Sequence, residues 1–185
     1  MGVLFVIHHA ETEYNSKEIY VGKKDIGINK IGIKQSNCLG KLLKKENLDL
    51  IVTSSLSRAK ETANIINQYK KKDIIIDVRF VEVDIGGYEG LSSKEILEIV
   101  KNRYSGDTYK FYNDHFLGGE KNKDVEERVY QGLNNIKKNY PNKRIALITH
   151  GFIIRVINRY FNPAILFPDF YNFLVKNAEI KRFNF

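Results

Sequence analysis

The chain has 185 residues, 43% hydrophobic, 12% aromatic and 28% charged. This length and balance describe one globular core and exclude a disordered tail or two full-sized domains. Thirty Lys and Arg against 22 Asp and Glu give a formal net charge of +8, which fits an anionic small substrate or a lysine-coated surface as well as nucleic acid. The lysines gather at Lys44-Lys45, Lys70-Lys71-Lys72 and Lys137-Lys138, near the expected ends of amphipathic segments, where cations complement the helix dipole. No nucleic-acid motif accompanies them, so nucleic acid is not the expected partner.

The longest apolar runs, Val3 to Ile7 and Ile145 to Ile148, fall far short of the roughly 20 residues that span a bilayer. The first residues carry no basic leader or small-residue cleavage site, and Val6 stands where a myristoylation signal needs Ser or Thr. A cytoplasmic protein without membrane attachment is expected. The single Cys38 can form neither an internal disulfide nor a thiolate metal site, and it reads as a small core residue.

Apolar runs alternate with helical periodicities. Val3 to Ile7 reads as a buried strand, and Lys30 to Leu43 as a helix with Ile31, Leu39, Leu42 and Leu43 as its apolar positions. Leu50 to Thr53 is a second strand, Arg58 to Tyr69 a helix with Ala59, Ala63 and Ile66 on one side, and Ile74 to Ile76 a short third strand. Val78 to Gly90 is irregular, punctuated by Gly86, Gly87 and Gly90, and such loops more often carry function than packing. Ser92 with Glu95, and Asp124 with Glu127, form capping-box patterns that predict helices to about Arg103 and to Asn139, the second with Val125, Val129, Leu133 and Ile136 on its apolar face. Residues 104–123 between them read as a partly helical, cap-like excursion over a single domain of residues 1–185. Ile145 to Thr149 is a further strand, Phe152 to Phe161 a helix stopped before Pro163, and the tail from Phe170 is expected to supply one or two edge strands. The order implies an α/β three-layer sandwich: a mainly parallel central sheet with helices on both faces. Ligands bind such sheets outside the carboxyl ends of the strands.

The first strand runs into His8-His9-Ala10-Glu11-Thr12, and the strand at Ile145 into Thr149-His150-Gly151, which places histidines from distant parts of the chain on one sheet edge. The second strand is followed by Thr53-Ser54-Ser55-Leu56-Ser57-Arg58, where free N–H groups, the helix dipole and a guanidinium make an anion site. Glu82, between Val81 and Val83, is expected to be partly desolvated, which raises a carboxyl pKa and suits it to donate a proton near neutrality. These groups are what phosphoryl transfer to a histidine nucleophile requires.

Four blocks resemble the histidine phosphatase superfamily, the phosphoglycerate-mutase-like enzymes. They are Phe5-Val6-Ile7-His8-His9-Ala10-Glu11-Thr12-Glu13-Tyr14-Asn15, Thr53 to Ala63, Glu82 to Leu91, and Thr149-His150-Gly151, with weaker echoes at Gly22, Asp25, Gly32, Gln35 and Gly118-Gly119-Glu120. The resemblance covers nearly the whole chain in order. It implies a phosphoglycerate mutase-like fold and a phosphatase hydrolysing small phosphorylated metabolites, with no metal and no other cofactor. It further implies that His9 becomes phosphorylated and that Arg58 and His150 bind the transferred phosphoryl oxygens. Asn15 adds a phosphate contact, Gly151 lets a backbone N–H approach, and Glu82 protonates the leaving oxygen and then activates water. Lys23, Lys24, Tyr88 and, in the cap, His115 are expected at the substrate pocket.

The chain departs from the family pattern at His8, where the pattern has Arg. Arginine offers a permanent charge and a planar fork, whereas an imidazole offers fewer donors and titrates near neutrality. A weakened enzyme that mainly binds phosphorylated ligands is therefore an alternative, as is mutase-type transfer. Glu82 runs directly into Gly86-Gly87-Tyr88-Glu89-Gly90 without the substrate-binding segment of the mutases, which favours a phosphatase. A register with His8 as nucleophile is conceivable because adjacent strand residues face opposite ways; the spacing to Glu11-Thr12 and Asn15 favours His9.

Overall fold

A computed structural model describes residues 1–107, 110, 118–166 and 169–185. Five strands, β1 (Val3–His8), β2 (Leu50–Thr53), β3 (Ile74–Ile76), β4 (Arg144–Thr149) and β5 (Ile180–Asn184), form one sheet in the order β3-β2-β4-β1-β5. The first four pair in parallel; β5 runs antiparallel along β1. The helices are α1 (Glu13–Ser16), α2 (Lys30–Leu43), α3 (Ser57–Lys70), α4 (Ser93–Tyr104), α5 (Asn122–Asn139), α6 (Gly151–Phe161) and α7 (Asp169–Asn172).

Strand alternation sends side chains to two apolar layers. Leu4, Val6, Leu50, Val52, Ile145 and Leu147 meet the apolar faces of α4, α5 and α6 on one side. On the other, Val3, Phe5, Ile7, Ile51, Ala146 and Ile148 meet Leu39 and Leu43 of α2 and Ala59, Ala63 and Ile66 of α3. Helices thus cover both faces of a mixed sheet, as expected from the strand-helix alternation.

Several boundaries move for identifiable reasons. In α2 the positions Ile31 and Leu42 are 51% and 61% exposed; the face turned inward is built from Gly32, Ser36, Leu39, Gly40 and Leu43, because α2 approaches Glu11 and Tyr69 too closely for large side chains. Cys38 lies on the outer side and is exposed, not a core residue. The box expected of Ser92 and Glu95 forms, but that of Asp124 and Glu127 does not, since α5 starts earlier with Lys121 as its N-cap. The tail forms the short α7 and then the single strand β5. Residues 108–109 and 111–117 of the cap-like excursion at 104–123 lie outside the described residues.

Candidate active site

The parallel register puts His8 opposite Thr149 and Thr53 opposite Ile148. The carboxyl ends of β1, β4 and β2 therefore deliver His8-His9, His150 and the Ser54-Arg58 turn to one edge. A cavity of about 500 Å³ opens there, lined by His8, His9, Asn15, Arg58, Glu82 and Gly151 among others.

His9 is 3% exposed. Its backbone is fixed by His9 N–H donating to Thr149 O (2.9 Å) and by Asn177 Nδ2 donating to its carbonyl (3.0 Å). The ring Nδ1 lies 2.8 Å from Ala10 O. A carbonyl only accepts, so Nδ1 carries the proton and Nε2 keeps a lone pair. Burial, then the neighbouring His8 and Arg58 charges, hold the His9 pKa well below the usual imidazole value; the ring is neutral in weak acid.

His150, fully buried, is the N-cap residue of α6 and lies with its ring 5.2 Å from that of His9. Arg58 Nε donates to His150 Nδ1 (3.2 Å), so the imidazole proton is on Nε2, 2.7 Å from Ser54 Oγ. Burial and Arg58 likewise push its pKa down. Arg58 itself, 1% exposed in the first turn of α3, also donates to Lys24 O (2.9 Å) and Gly22 O (2.7 Å). These bonds occupy three of the five N–H groups of a guanidinium. Gly22 has to be glycine for this approach: a Cβ there would lie 2.6 Å from Val83 O.

Glu82 follows a 3-10 turn (Val78–Phe80) and precedes another (Gly86–Tyr88). Its Oε1 accepts from Val83 N–H (2.9 Å) and its Oε2 from Phe152 N–H (3.4 Å) in the first turn of α6. Burial raises its pKa against the pull of those bonds and of Arg58. Asn15 sits in the capping box of α1, its Oδ1 taken by Thr12 N–H (3.0 Å). Its amide nitrogen supplies two further donors.

His8 and His9 do not face opposite ways: β1 ends at His8, their rings meet edge to face at 4.6 Å and both line the cavity. His8 Nδ1 lies 2.9 Å from Val175 O, which fixes its proton there and turns the bare Nε2 toward Gly151, whose added Cβ would sit 3.6 Å away. Burial lowers its pKa from 6.5 to about 4, with backbone bonds opposing and Arg58 and Arg155 reinforcing. Neutral His8 is thus an acceptor toward the cavity.

Tyr88 lines the cavity. Lys23 and Lys24 do not: Lys23 pairs with Glu120 (3.4 Å) and Lys24 donates to Tyr14 OH (2.8 Å). His115 lies outside the described residues. Arg128 was not visible as a site residue in the sequence, because it stands beside the apolar positions of α5, half-buried, and breaks their pattern. It donates to the carbonyls of Arg79 (2.6 Å) and Glu82 (3.4 Å) and pairs with Glu120 (2.7 Å), clamping the acid's loop. Among the described residues, no group of three or more His, Cys, Asp or Glu could hold a metal ion. No helix among them is long and apolar enough to cross a membrane.

The sheet order, the histidines at its carboxyl edge and the buried Arg58 and Glu82 define a phosphoglycerate mutase-like α/β enzyme. The model of the histidine phosphatase superfamily (branch 1) matches residues 4–185, and the chain belongs to that family. Among its relatives is the uncharacterized phosphatase PhoE of Bacillus subtilis, 33% identical over 157 residues, covering 85% of this chain and 76% of that one. Phosphoserine phosphatase 1 of Hydrogenobacter thermophilus is 29% identical over 154 residues, covering 83% and 73%. The solved structure of YhfR from Bacillus stearothermophilus superposes with a TM-score of 0.84 at 24% identity, over 98% of this chain and 90% of that one. A putative alpha-ribazole-5'-P phosphatase of Escherichia coli gives 0.83 at 20% identity, over 97% and 88%. The enzyme class shared by the relatives' names is phosphoric monoester hydrolase.

Proposed function

We propose that the protein hydrolyses small phosphomonoesters through a phosphohistidine at His9 Nε2, in the cytoplasm, with Glu82 as general acid and then base. The observation that carries this reading is the pinning of His9: its Nδ1 proton is held by Ala10 O, so the lone pair is on the nitrogen left free to attack. In the first step Nε2 forms a bond to phosphorus while the ester P–O bond breaks and Glu82 gives its proton to the departing alkoxide. In the second, Glu82 takes a proton from water, the water oxygen bonds to phosphorus, and the P–N bond breaks to release phosphate and neutral His9.

Charge developing on the phosphoryl oxygens meets the two N–H groups of Arg58 not used among the described residues, the Asn15 amide and the N-terminus of α6 at Gly151. His150 carries an Nε2 proton, given to Ser54 Oγ, for which a phosphoryl oxygen beside His9 can compete. With arginine, imidazole and backbone donors supplying this neutralisation, the reading needs neither metal nor organic cofactor. The proposed partner is a small phosphorylated metabolite; neither nucleic acid nor a membrane enters the reading.

A second reading, a slow enzyme that chiefly holds phosphorylated ligands, is favoured by His8, whose neutral form presents no proton to a phosphoryl oxygen. Phosphate release from p-nitrophenyl phosphate and a panel of metabolite esters separates the two. The leading reading expects release by the native protein and its loss in His9→Ala. Ligand binding with no release supports the second reading and contradicts the first.

A further inference from the structure

Asn15 and His9 reach the cavity from different elements, His9 from just beyond β1 and Asn15 from α1. A donor helps the transferring group only if its distance and direction from the nucleophile are set before the substrate arrives. The capping box holds Asn15 within its own turn and by itself leaves that turn untied to His9.

Asn177, in the segment between α7 and β5, makes the tie. Its Nδ2 donates to His9 O (3.0 Å) and to Asn15 Oδ1 (3.3 Å), which spends both hydrogens of one amide nitrogen. Asn15 Oδ1 also accepts from Thr12 N–H (3.0 Å) and from the Thr12 hydroxyl (2.9 Å). Three donors converge on that oxygen, so a flipped Asn15 would set its own N–H groups against them. The Asn15 amide nitrogen is therefore turned away from Asn177 and left for the cavity.

The turn around Asn177 is itself held to the nucleophile strand. Ala178 N–H donates to His8 O (3.1 Å) and His8 N–H to Glu179 O (3.1 Å), while Lys176 N–H donates to the Glu179 carboxylate (2.8 Å). Ala178 takes φ 59°, a left-handed conformation that is unfavourable for a residue with a Cβ and persists only where the surroundings impose it. The strain falls beside the one amide that bridges His9 and Asn15.

We propose that Asn177 is a positioning residue for phosphoryl transfer: it couples the His9 backbone to Asn15, so that the Asn15 amide presents its N–H groups at a set place beside the nucleophile. This rests on the phosphatase reading and adds to it a residue that acts through Asn15. Aspartate has nearly the same shape but offers no N–H when ionised. In Asn177→Asp a carboxylate faces the two acceptor oxygens and draws the Asn15 N–H groups away from the cavity.

The test is a double-mutant cycle of Asn177→Asp with Asn15→Ala. It is read by kcat/KM for p-nitrophenyl phosphate and by the rise in Tm that orthovanadate, a mimic of the five-coordinate phosphoryl group, produces. Asn177→Asp is expected to lower kcat/KM by about tenfold or more, toward the cost of losing one transition-state donor, and to shrink the vanadate response. In the Asn15→Ala protein the same substitution should cost about threefold or less, because the donor that it misdirects is gone. Equal costs with and without Asn15, or native kcat/KM in Asn177→Asp, overturn the proposal. So does activity lost only in proportion to folded protein while the vanadate response stays native, the signature of a merely structural role. If Asn177→Asp does not fold, Asn177→Ala runs the same cycle with a smaller loss expected. Absence of release by the native protein would instead overturn the phosphatase reading, and the vanadate response, which needs no turnover, would still decide the part played by Asn177.

Discussion

His8 and His9 each give their Nδ1 proton to a backbone carbonyl, yet the consequences differ with what each faces. For His9 a bare Nε2 is the form that the proposed mechanism needs. For His8 the same tautomer turns an acceptor toward the place where anionic oxygens would sit, which costs more than the loss of one arginine fork suggests. His8→Arg is therefore expected to raise kcat/KM, on the order of 10²-fold by comparison with single-donor deletions; an unchanged rate contradicts this account of position 8. The pH dependence follows from opposed shifts. His9 stays neutral well below its ordinary value, and Glu82 stays protonated above its own. Both needed forms coexist in weak acid, so kcat/KM should peak below neutrality, falling toward alkaline pH as Glu82 ionises. Glu82→Gln should remove that alkaline limb and lower kcat by roughly 10²–10⁴-fold for a poor leaving group. A native profile still rising above pH 7 would count against Glu82 as the acid.

Among the elements, the loop of residues 78–90 sets the precision of the site. Thr149 Oγ1 donates to Phe80 O (2.8 Å) at the end of β4, and Arg128 holds the carbonyls of Arg79 and Glu82 from α5. Phe80 is wholly buried against Gly132, where an added Cβ would sit 2.7 Å from the ring. Gly132→Ala should push on Phe80 and lower stability by about 1–3 kcal/mol, measured by urea denaturation, with a fall in kcat as the acid is displaced. Full activity and unchanged stability would show that the loop is not held from α5. This clamp was hidden in the sequence because Arg128 and Gly132, one turn apart on α5, add no large apolar side chain to the periodicity that announces its core face. α2 misled for a related reason: close helix contact selects Gly32, Ser36 and Gly40, while periodicity weights Ile31 and Leu42. β1, β2 and β4, by contrast, were legible as short apolar runs, because burial on both sheet faces leaves no polar alternation to confuse them.

Across the whole molecule, the same edge that gathers the reactive groups stores a pH-dependent cost. His8, lowered from 6.5 to about 4, and His9 and His150, held well below the usual imidazole value by burial, bind fewer protons folded than unfolded in this window. Their contribution is complete above about pH 6.5 and is lost as pH falls. Glu82, raised by burial, acts in reverse, its contribution complete below its unfolded value and lost as pH rises. Three imidazoles outweigh one carboxyl, so Tm should fall by roughly 5 °C or more between pH 7 and pH 5, and His8→Asn should shrink that difference. A Tm independent of pH over this range would mean that the imidazoles are solvated. The sheet edge and its histidines could be read from strand ends alone. The contacts that set each ring's tautomer could not: they come from the Val175 carbonyl for His8, the Ala10 carbonyl for His9 and the Arg58 guanidinium for His150.

The most direct measurement is rapid acid-free quenching of the protein during turnover, followed by mass-spectrometric location of the bound phosphate. The account requires a phosphoryl group on His9, stable in alkali, labile in acid and absent from His9→Ala. Phosphate found on another residue, or steady hydrolysis by His9→Ala at the native rate, would contradict it.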